Sequence, residues 1–557
     1  MPGHDEIAEV EVDDAETLPR PRTGLEEYER SGLDRPPFIL TRAEVKLLGI
    51  AGVGFFLDAY DLFIINPVAT MLQYRLYDGE AIPAGLQGFL KAAANIGSVI
   101  GQFLFGYLAD ALGRKAIYGK ELMLIIFATI LSLTTPTGSL SPNGAITYLA
   151  AARVLLGVGV GGDYPMSASV SADRAVVRRR GTLLAYVFAS QGWGSLGGSL
   201  ITLIVLLAYK GVMEGRGETS KVDGVWRVVV GLSLVPAFGT LYQRLTLPEA
   251  VKYEEAQGVE GLKKEGAVVA KGAPSGSEEW DDIEMDKRSG GSKKGDEEAP
   301  SIVVQDVDAK RTNSDVARRA VVQPKKRTHF REFLTYFSEW RHAKILIGTS
   351  MCWFLLDIAF YGINLNQNVV LQQIGFDGSS GSPWNRLFKI SIGNVIITAL
   401  GFVPGYYVSV LTIEYLGRKW IQIQGFLMAA LFLAILASKF HTLSTAAFIV
   451  NFAFLQFFFN FGANTYCYPA EVFPTRFRAF AHGMSAASGK AGAIVSALAF
   501  NALSKKVGTP VVLWIFFGCC VAGAVFTLLL PEVKGRDPDA IDREEIRERA
   551  AKMAGAA

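Results

Sequence analysis

The sequence predicts an all-α membrane protein, with twelve transmembrane helices in two pseudo-symmetric six-helix bundles. Three observations carry that expectation. Half of the 557 residues are hydrophobic, and the charged 19% gathers in the N-terminal tail, a central block and the C-terminal tail, leaving long stretches almost free of charge. Twelve of those stretches supply the roughly 20 apolar residues that a bilayer core demands of a helix. The loop that follows the second stretch returns after the eighth.

The spans lie near 45–74, 87–110, 116–136, 144–171, 181–209, 224–247, 343–373, 385–411, 418–439, 443–470, 479–503 and 509–531. They group into an N-terminal bundle over 45–248 and a C-terminal bundle over 343–532, with tails at 1–44 and 533–557. The segment 249–342 mixes Lys, Glu, Asp, Gly and Ser with few large apolar residues, cannot bury enough surface to fold alone, and is a largely disordered linker. At its end, Phe330 to Trp340 alternates apolar and polar residues at near-helical spacing, as a helix on the membrane surface or the first turn of the seventh span would.

Orientation follows from the short loops. Arg114, Lys115, Arg174, Arg178 to Arg180, Arg418, Lys419, Arg476 and Arg478 share a side with both tails and the linker, which makes that side cytoplasmic. The opposite loops hold fewer cations, among them Arg75, Arg216, Lys505 and Lys506. Repetition supports the two halves. Asp110-Ala111-Leu112-Gly113-Arg114-Lys115 matches Glu414-Tyr415-Leu416-Gly417-Arg418-Lys419, and Pro248-Glu249 matches Pro531-Glu532. Helix-end solvation explains such charges but not their recurrence in register.

Several function classes fall away. A net charge of +2 gives no footprint for nucleic acid. Cys352, Cys467, Cys519 and Cys520 sit in apolar runs without metal-ligand spacing, so neither a disulfide framework nor a metal site is expected. The acidic, Pro-containing first 40 residues do not resemble a cleavable signal. The run Gly157-Val158-Gly159-Val160-Gly161-Gly162 lacks the preceding strand that a nucleotide loop needs.

That run organises the fourth span. Glycines one turn apart let a neighbouring helix approach closely, and Pro165 can loosen the helix just after Asp163. Ionisable residues at such depth are costly and usually have a task. In the first span, Asp58 and Asp61 share a helix face; buried carboxyls tend to take up protons, although either could be a structural hydrogen-bonder. Arg153 and Asp163 lie ten residues apart on one helix, about 15 Å along its axis, too far to pair. Arg153 is expected to meet Asp58 or Asp61, as a releasable or a static ion pair. Gln191 in the fifth span can donate to a substrate oxygen or bridge helices. Trp353, Asp357 and Tyr361 recur every four residues in the seventh span, a stripe that alone would be packing but with a midplane carboxylate favours a polar cavity. Lys490, the deep cation of the C-terminal half, can attract an anion, neutralise Asp357 or snorkel, the last disfavoured by its central position. Lysine, amide, phenol and indole donors suit an oxyanion. A carboxylate among them selects one that still bears an OH and disfavours fully ionised competitors.

Gly157 to Ala168, Trp353 to Gly362 with Asn364 and Gln367, the paired Gly-Arg-Lys loops, and Glu471-Val472-Phe473-Pro474-Thr475-Arg476 together resemble the phosphate:proton symporters of fungi and plants, in the major facilitator superfamily. The resemblance covers nearly all of 45–532. It implies a carrier rather than an enzyme, rocking two halves about a midplane site, with protons as the co-transported ion and no cofactor. It implies phosphate contacts from Tyr164, Gln191, Trp353, Asp357, Tyr361 and Asn464 with Lys490 beside them, and proton handling by Asp58, Asp61 and Asp163 assisted by Arg153. It places Asp110, Arg114, Glu414 and Arg418 in gating loops and the protein in the plasma membrane. Linker serines and lysines are of the types that kinases and ubiquitin ligases modify. The rival readings are a glycerophosphodiester or sugar carrier with proton coupling, and a phosphate-sensing transceptor. One departure stands out. Two fewer residues than the family pattern separate Asn464 from Pro469-Ala470-Glu471, which turns a helix by about 200° unless a kink absorbs it.

Overall fold

The computed structural model describes residues 36, 38–175, 177–247, 329–376, 378, 381–462 and 465–555, and no strand occurs among them. Each predicted span is helical: α1 (Arg42–Leu76), α2 (Ala84–Leu112), α3 (Arg114–Leu133), α4 (Pro142–Arg174), α5 (Arg180–Ala208), α6 (Thr219–Leu245), α7 (Trp340–Asn364), α8 (Pro383–Leu416), α9 (Arg418–Lys439), α10 (Thr445–Phe461), α11 (Arg478–Val507) and α12 (Thr509–Thr527). Ten of these are long and apolar enough to cross a membrane; α10 is shorter, and α11 is diluted by Gly, Ser and Lys. A further helix, α13 (Pro538–Gly555), follows at the C-terminus. The expected linker lies outside the described residues up to position 328, as do the N-terminal tail to position 35 and the Pro248-Glu249 pair.

Local chemistry sets the helix ends. Thr41 and Glu44 form a reciprocal capping box at the start of α1, and Ser141, Ser382 and Ser444 each accept a backbone N–H at the starts of α4, α8 and α10. The repeated loop owes its glycine to the backbone. Gly113 and Gly417 both adopt positive φ, 98° and 82°, where the chain turns sharply from α2 into α3 and from α8 into α9.

Interruptions fall where the sequence removes donors or offers competing ones. α1 is broken at Ile64, because Pro67 cannot donate to the carbonyl of Phe63. The span predicted over 343–373 stops at Asn364 and resumes as a short helix at Asn368–Gln373. There the side-chain amides of Asn364 and Asn366 bond back to the carbonyls of Phe360 and Gly362 at 2.8 and 2.9 Å, competing with the helix ladder. The span predicted over 443–470 ends at Phe461 and resumes at Cys467–Val472, so the shortened interval falls at a break rather than within one rigid helix. Pro165, by contrast, leaves α4 unbroken. The segment before α7 is its own helix, His329–Phe337, separated from Trp340, and its buried Phe333 packs on Phe477 and Phe480 with ring centroids 5.7 and 4.7 Å apart.

The glycines act as close-approach points. A Cβ on Gly157 or Gly161 would fall on the carbonyls of Ala94 or Ser98 in α2, and one on Gly97 or Gly101 would fall on those of Val154 or Val158 in α4. α2 and α4 thus touch backbone to backbone. The same device joins the halves, since Gly483 of α11 lies against the Gln102 carbonyl and Gly106 of α2 against that of Ala479. Gly157→Ala is therefore expected to destabilise the protein by about 1–3 kcal/mol. Gly49→Ala, at a helical position with nothing within 4 Å, is expected to be neutral or stabilising by up to about 1 kcal/mol. Thermal unfolding of the two variants in detergent, followed by size-exclusion chromatography, checks the contrast.

Candidate functional site

Six of the seven residues expected to meet substrate line one cavity: Tyr164 of α4, Gln191 of α5, Trp353, Asp357 and Tyr361 of α7, and Lys490 of α11. Asn464 lies outside the described residues. Lys490 holds the centre. Its Nζ donates to the Tyr361 hydroxyl at 2.6 Å and to that of Tyr164, in the other half, at 3.5 Å, and stands 3.9 Å from Asp357 Oδ2. Gln191 Nε2 donates to Tyr164 at 2.6 Å, and the Tyr406 hydroxyl donates to Gln191 Oε1 at 3.4 Å. Asp357 Oδ2 is buried with no hydrogen-bond partner among the described residues, an unmet acceptor aimed at an otherwise donor-rich space. The free volume is about 30 Å³, about the share of one water molecule, so this arrangement is closed upon itself.

Sequence reasoning missed part of the lining: Tyr406, Asn460 and Thr465, with Phe188, Phe360 and Phe459 as apolar walls. Asn460 was the legible one, the lone amide in Phe457-Phe458-Phe459-Asn460-Phe461. Trp353 is seated by a missing side chain, because a Cβ on Gly489 would overlap its indole.

The expected proton-handling residues are buried and fall into separate contacts, Arg153 with Asp61 and Asp163 with Arg244, while Asp58 is hydrogen-bonded to neither among the described residues. Asp58 and Asp61 are 0% and 1% exposed, and both carboxylate oxygens of Asp58 lack a hydrogen-bond partner among the described residues. Asp58 lies one turn beyond Gly54 on α1, the residue against which Asp163 and Arg244 pack. Of the two partners expected for Arg153, it reaches Asp61, but its Nη2 donates to the main-chain oxygen at 2.8 Å and no ion pair with either carboxylate forms among the described residues. Asp163 has a partner that the sequence reading did not foresee. Arg244 of α6 grips both its oxygens at 2.6 and 3.3 Å and also donates to Glu121 of α3 at 3.1 Å. Gly54 makes the room, since a Cβ there would overlap both Asp163 and Arg244. Arg244 and Glu121 lie near the ends of their spans, where charges read as solvated, which hid them.

The two halves are tied together above and below the cavity. At the end carrying both tails, the Asp110 carboxylate accepts the backbone N–H groups of Ala479 and Phe480, at 3.3 and 2.8 Å, and so caps α11 of the opposite half. Glu414 does the same for α5, accepting the N–H of Thr182 at 2.9 Å. Arg114 donates to the Thr475 carbonyl at 2.8 Å and joins Arg478 in gripping Asp173, while Arg418 pairs with Glu414 at 2.8 Å and Glu471 at 2.5 Å. All four residues expected in gating loops thus lie in this network, and Asp173 and Arg478 complete it across the halves. At the other end, Asn66 donates to the Asn364 carbonyl at 2.9 Å and Lys91 to that of Leu365 at 2.6 Å, both at the carbonyl-rich end of α7.

Known proteins share this plan. Residues 47–544 match the family described as sugar (and other) transporter. The inorganic phosphate transporter PHO84 of Saccharomyces cerevisiae is 37% identical over 522 residues, 90% of this chain and 84% of that one. The repressible high-affinity phosphate permease of Neurospora crassa is 35% identical over 534 residues, 92% and 88% of the two chains. The solved proton:xylose symporter XylE superposes with a TM-score of 0.62 at 18% identity, over 90% of this chain and 98% of that one, which establishes the fold alone. The chain belongs to the sugar (and other) transporter family, together with the fungal inorganic phosphate transporters.

Proposed function

We propose that this protein carries inorganic phosphate inward together with protons, by opening its two ends in alternation around the cavity shared by Tyr164 and Lys490. The observation that carries the reading is the pairing, within that cavity, of one buried lysine with an unmet carboxylate oxygen. Monobasic phosphate satisfies both. Its charged oxygens take the Lys490 ammonium and donors from Tyr164, Gln191, Tyr361 and Trp353, and its OH donates to Asp357; the family resemblance implies a further contact from Asn464, which lies outside the described residues. Relatives named as phosphate transporters support the substrate.

Proton coupling rests on charge balance. Around the cavity and Arg244, among the described residues, the five buried carboxyls Asp58, Asp61, Glu121, Asp163 and Asp357 stand with three buried cations, Arg153, Arg244 and Lys490; the buried Lys91 is engaged with the Leu365 carbonyl at the other end. Full ionisation would leave net negative charge where water is excluded, a cost that proton binding removes and that an arriving anion would aggravate. Phosphate therefore enters best with protons aboard. Asp58, buried one turn beyond Gly54 and without a hydrogen-bond partner among the described residues, is the exchange point; Asp61 and Asp163 tune it, and Arg153 holds α1 in place. The basic short loops support a reading with both termini in the cytosol, and the family resemblance supports the plasma membrane as the location.

Alternating access requires the reciprocal caps from Asp110 and Glu414 to break when the cytosolic end opens, and the Asn66 and Lys91 bonds to break when the outer end opens. Each is a surface-to-surface tie of a kind that can re-form.

Uptake of radiolabelled phosphate by a host deleted for its own phosphate carriers tests the reading. Uptake is expected to rise as external pH falls from 7 to 5 and to ignore excess sugar or glycerophosphodiester. Competition by either would reassign the substrate, and binding without uptake would make the protein a sensor. In the same assay Asp357→Asn, which keeps the shape but loses the charged acceptor, is expected to lower uptake at limiting phosphate about 10- to 100-fold, the worth of one hydrogen bond to a charged group. It is also expected to narrow discrimination against sulfate.

A further inference from the structure

A charged cavity lies away from the transport site. It encloses about 420 Å³ between the helix His329–Phe337, the first turn of α7, the end of α12 and α13. One wall is apolar, built from Ile345 and Leu528 to Leu530, and it runs out to a rim where Leu528 is 62% and Ile541 45% exposed. The other wall is basic, with Arg341, His342, Lys344 and Arg536.

Two carboxylates also reach the cavity, but both are engaged. Glu471 is held by Arg418 at 2.5 Å, and Glu545 pairs with Arg341 at 3.1 Å and His342 at 3.4 Å. Lys344 and Arg536 have no acidic partner within 4.0 Å among the described residues, and the positive end of the α7 dipole points the same way. The cavity thus combines an uncompensated positive wall with a greasy one that opens outward at the end of a membrane-spanning helix.

We propose that this cavity seats the phosphate headgroup of an anionic phospholipid from the leaflet on the side of the tails, with its acyl chains leaving past Leu528 and Ile541. The basic wall alone would serve any phosphate-bearing anion. The apolar wall and its exposed rim select an amphiphile, because a soluble phosphate would leave them in water. The site also reaches the closure of the tail end. α13 supplies one wall through Pro538, Ile541 and Glu545, while its Asp539 accepts the Thr475 N–H and hydroxyl at 2.6 Å and lies 3.4 Å from Arg478. Although burial pushes the Asp539 carboxyl up, Arg478 and the two Thr475 bonds hold it below the usual range, so this anchor is present at neutral pH and fails only in acid. A bound lipid would fasten α13 against the same segment that joins the halves. The inference stands apart from the substrate assigned above.

The test titrates the purified full-length protein, in neutral detergent, with a fluorescent phosphatidylinositol and with its phosphatidylcholine counterpart. Phosphatidylinositol is expected to bind at least tenfold more tightly. The double substitution Lys344→Gln with Arg536→Gln should cost about 25-fold, about fivefold for each charge removed near a membrane surface. Lys505→Gln with Lys506→Gln, exposed at the opposite end of α11, should leave binding unchanged. Glycerophosphoinositol, the headgroup without chains, should compete weakly. Equal binding of the two lipids, a double variant that binds as well as the parent, or an equal loss in the control pair would overturn the proposal. Competition by the chain-free headgroup as strong as by the lipid would assign the cavity to a soluble phosphate instead.

Discussion

Lys490 carries an amino group into the buried centre of the molecule, where it is 1% exposed, and its nearest ligands come from both halves. A buried ammonium persists only where oxygen atoms stand at the right distance. Tyr361 supplies one from its own half and Tyr164 one from the other, so a single electrostatic requirement demands that α4 and α11 meet across the interface. The glycines along α2, α4 and α11 make that meeting sterically feasible. Bulkier residues would push the helices apart by the width of a side chain and leave the lysine unsolvated.

The same logic explains why charge is abundant in so apolar a chain. Buried ion pairs contribute little net stability, but they are strongly directional and costly to leave half-made, which suits a structure that must exchange one set of partners for another. Arg244 is shared between Asp163 and Glu121, Asp173 between Arg114 and Arg478, and Arg418 between Glu414 and Glu471. Each shared ion can favour one neighbour without stranding the other. The capping of α5 and α11 by carboxylates of the opposite half adds about 1 kcal/mol per cap, enough to bias a conformation and small enough to be overcome.

Much of this was legible in the sequence, for physical reasons. Span positions follow from the thickness of hydrocarbon, and the two halves from the recurrence of Gly113-Arg114-Lys115 as Gly417-Arg418-Lys419, whose glycines prove to need positive φ. Cavity residues such as Asp357 and Lys490 announced themselves because nothing in a bilayer excuses a charge. What escaped was partner choice. Periodicity shows that Asp163 and Arg153 face inward but not that Arg244 arrives from α6 to claim Asp163, since pairing between distant helices depends on tertiary geometry. Charges near helix ends, Glu121, Asp173 and Arg244 among them, passed as solvated because one sequence cannot distinguish a helix end in water from one buried under another helix. The breaks after Asn364 and Phe461 escaped because hydropathy does not register amides that compete for backbone carbonyls.

The central claim is that phosphate and protons enter one shared balance of buried charge. It is tested most directly by calorimetry of phosphate binding to the purified protein, in two buffers of different ionisation enthalpy, at a pH where the ligand is already monobasic. The account predicts net proton uptake on binding, reduced or abolished in Asp58→Asn. Binding that proceeds with no proton exchange in the parent protein would contradict it.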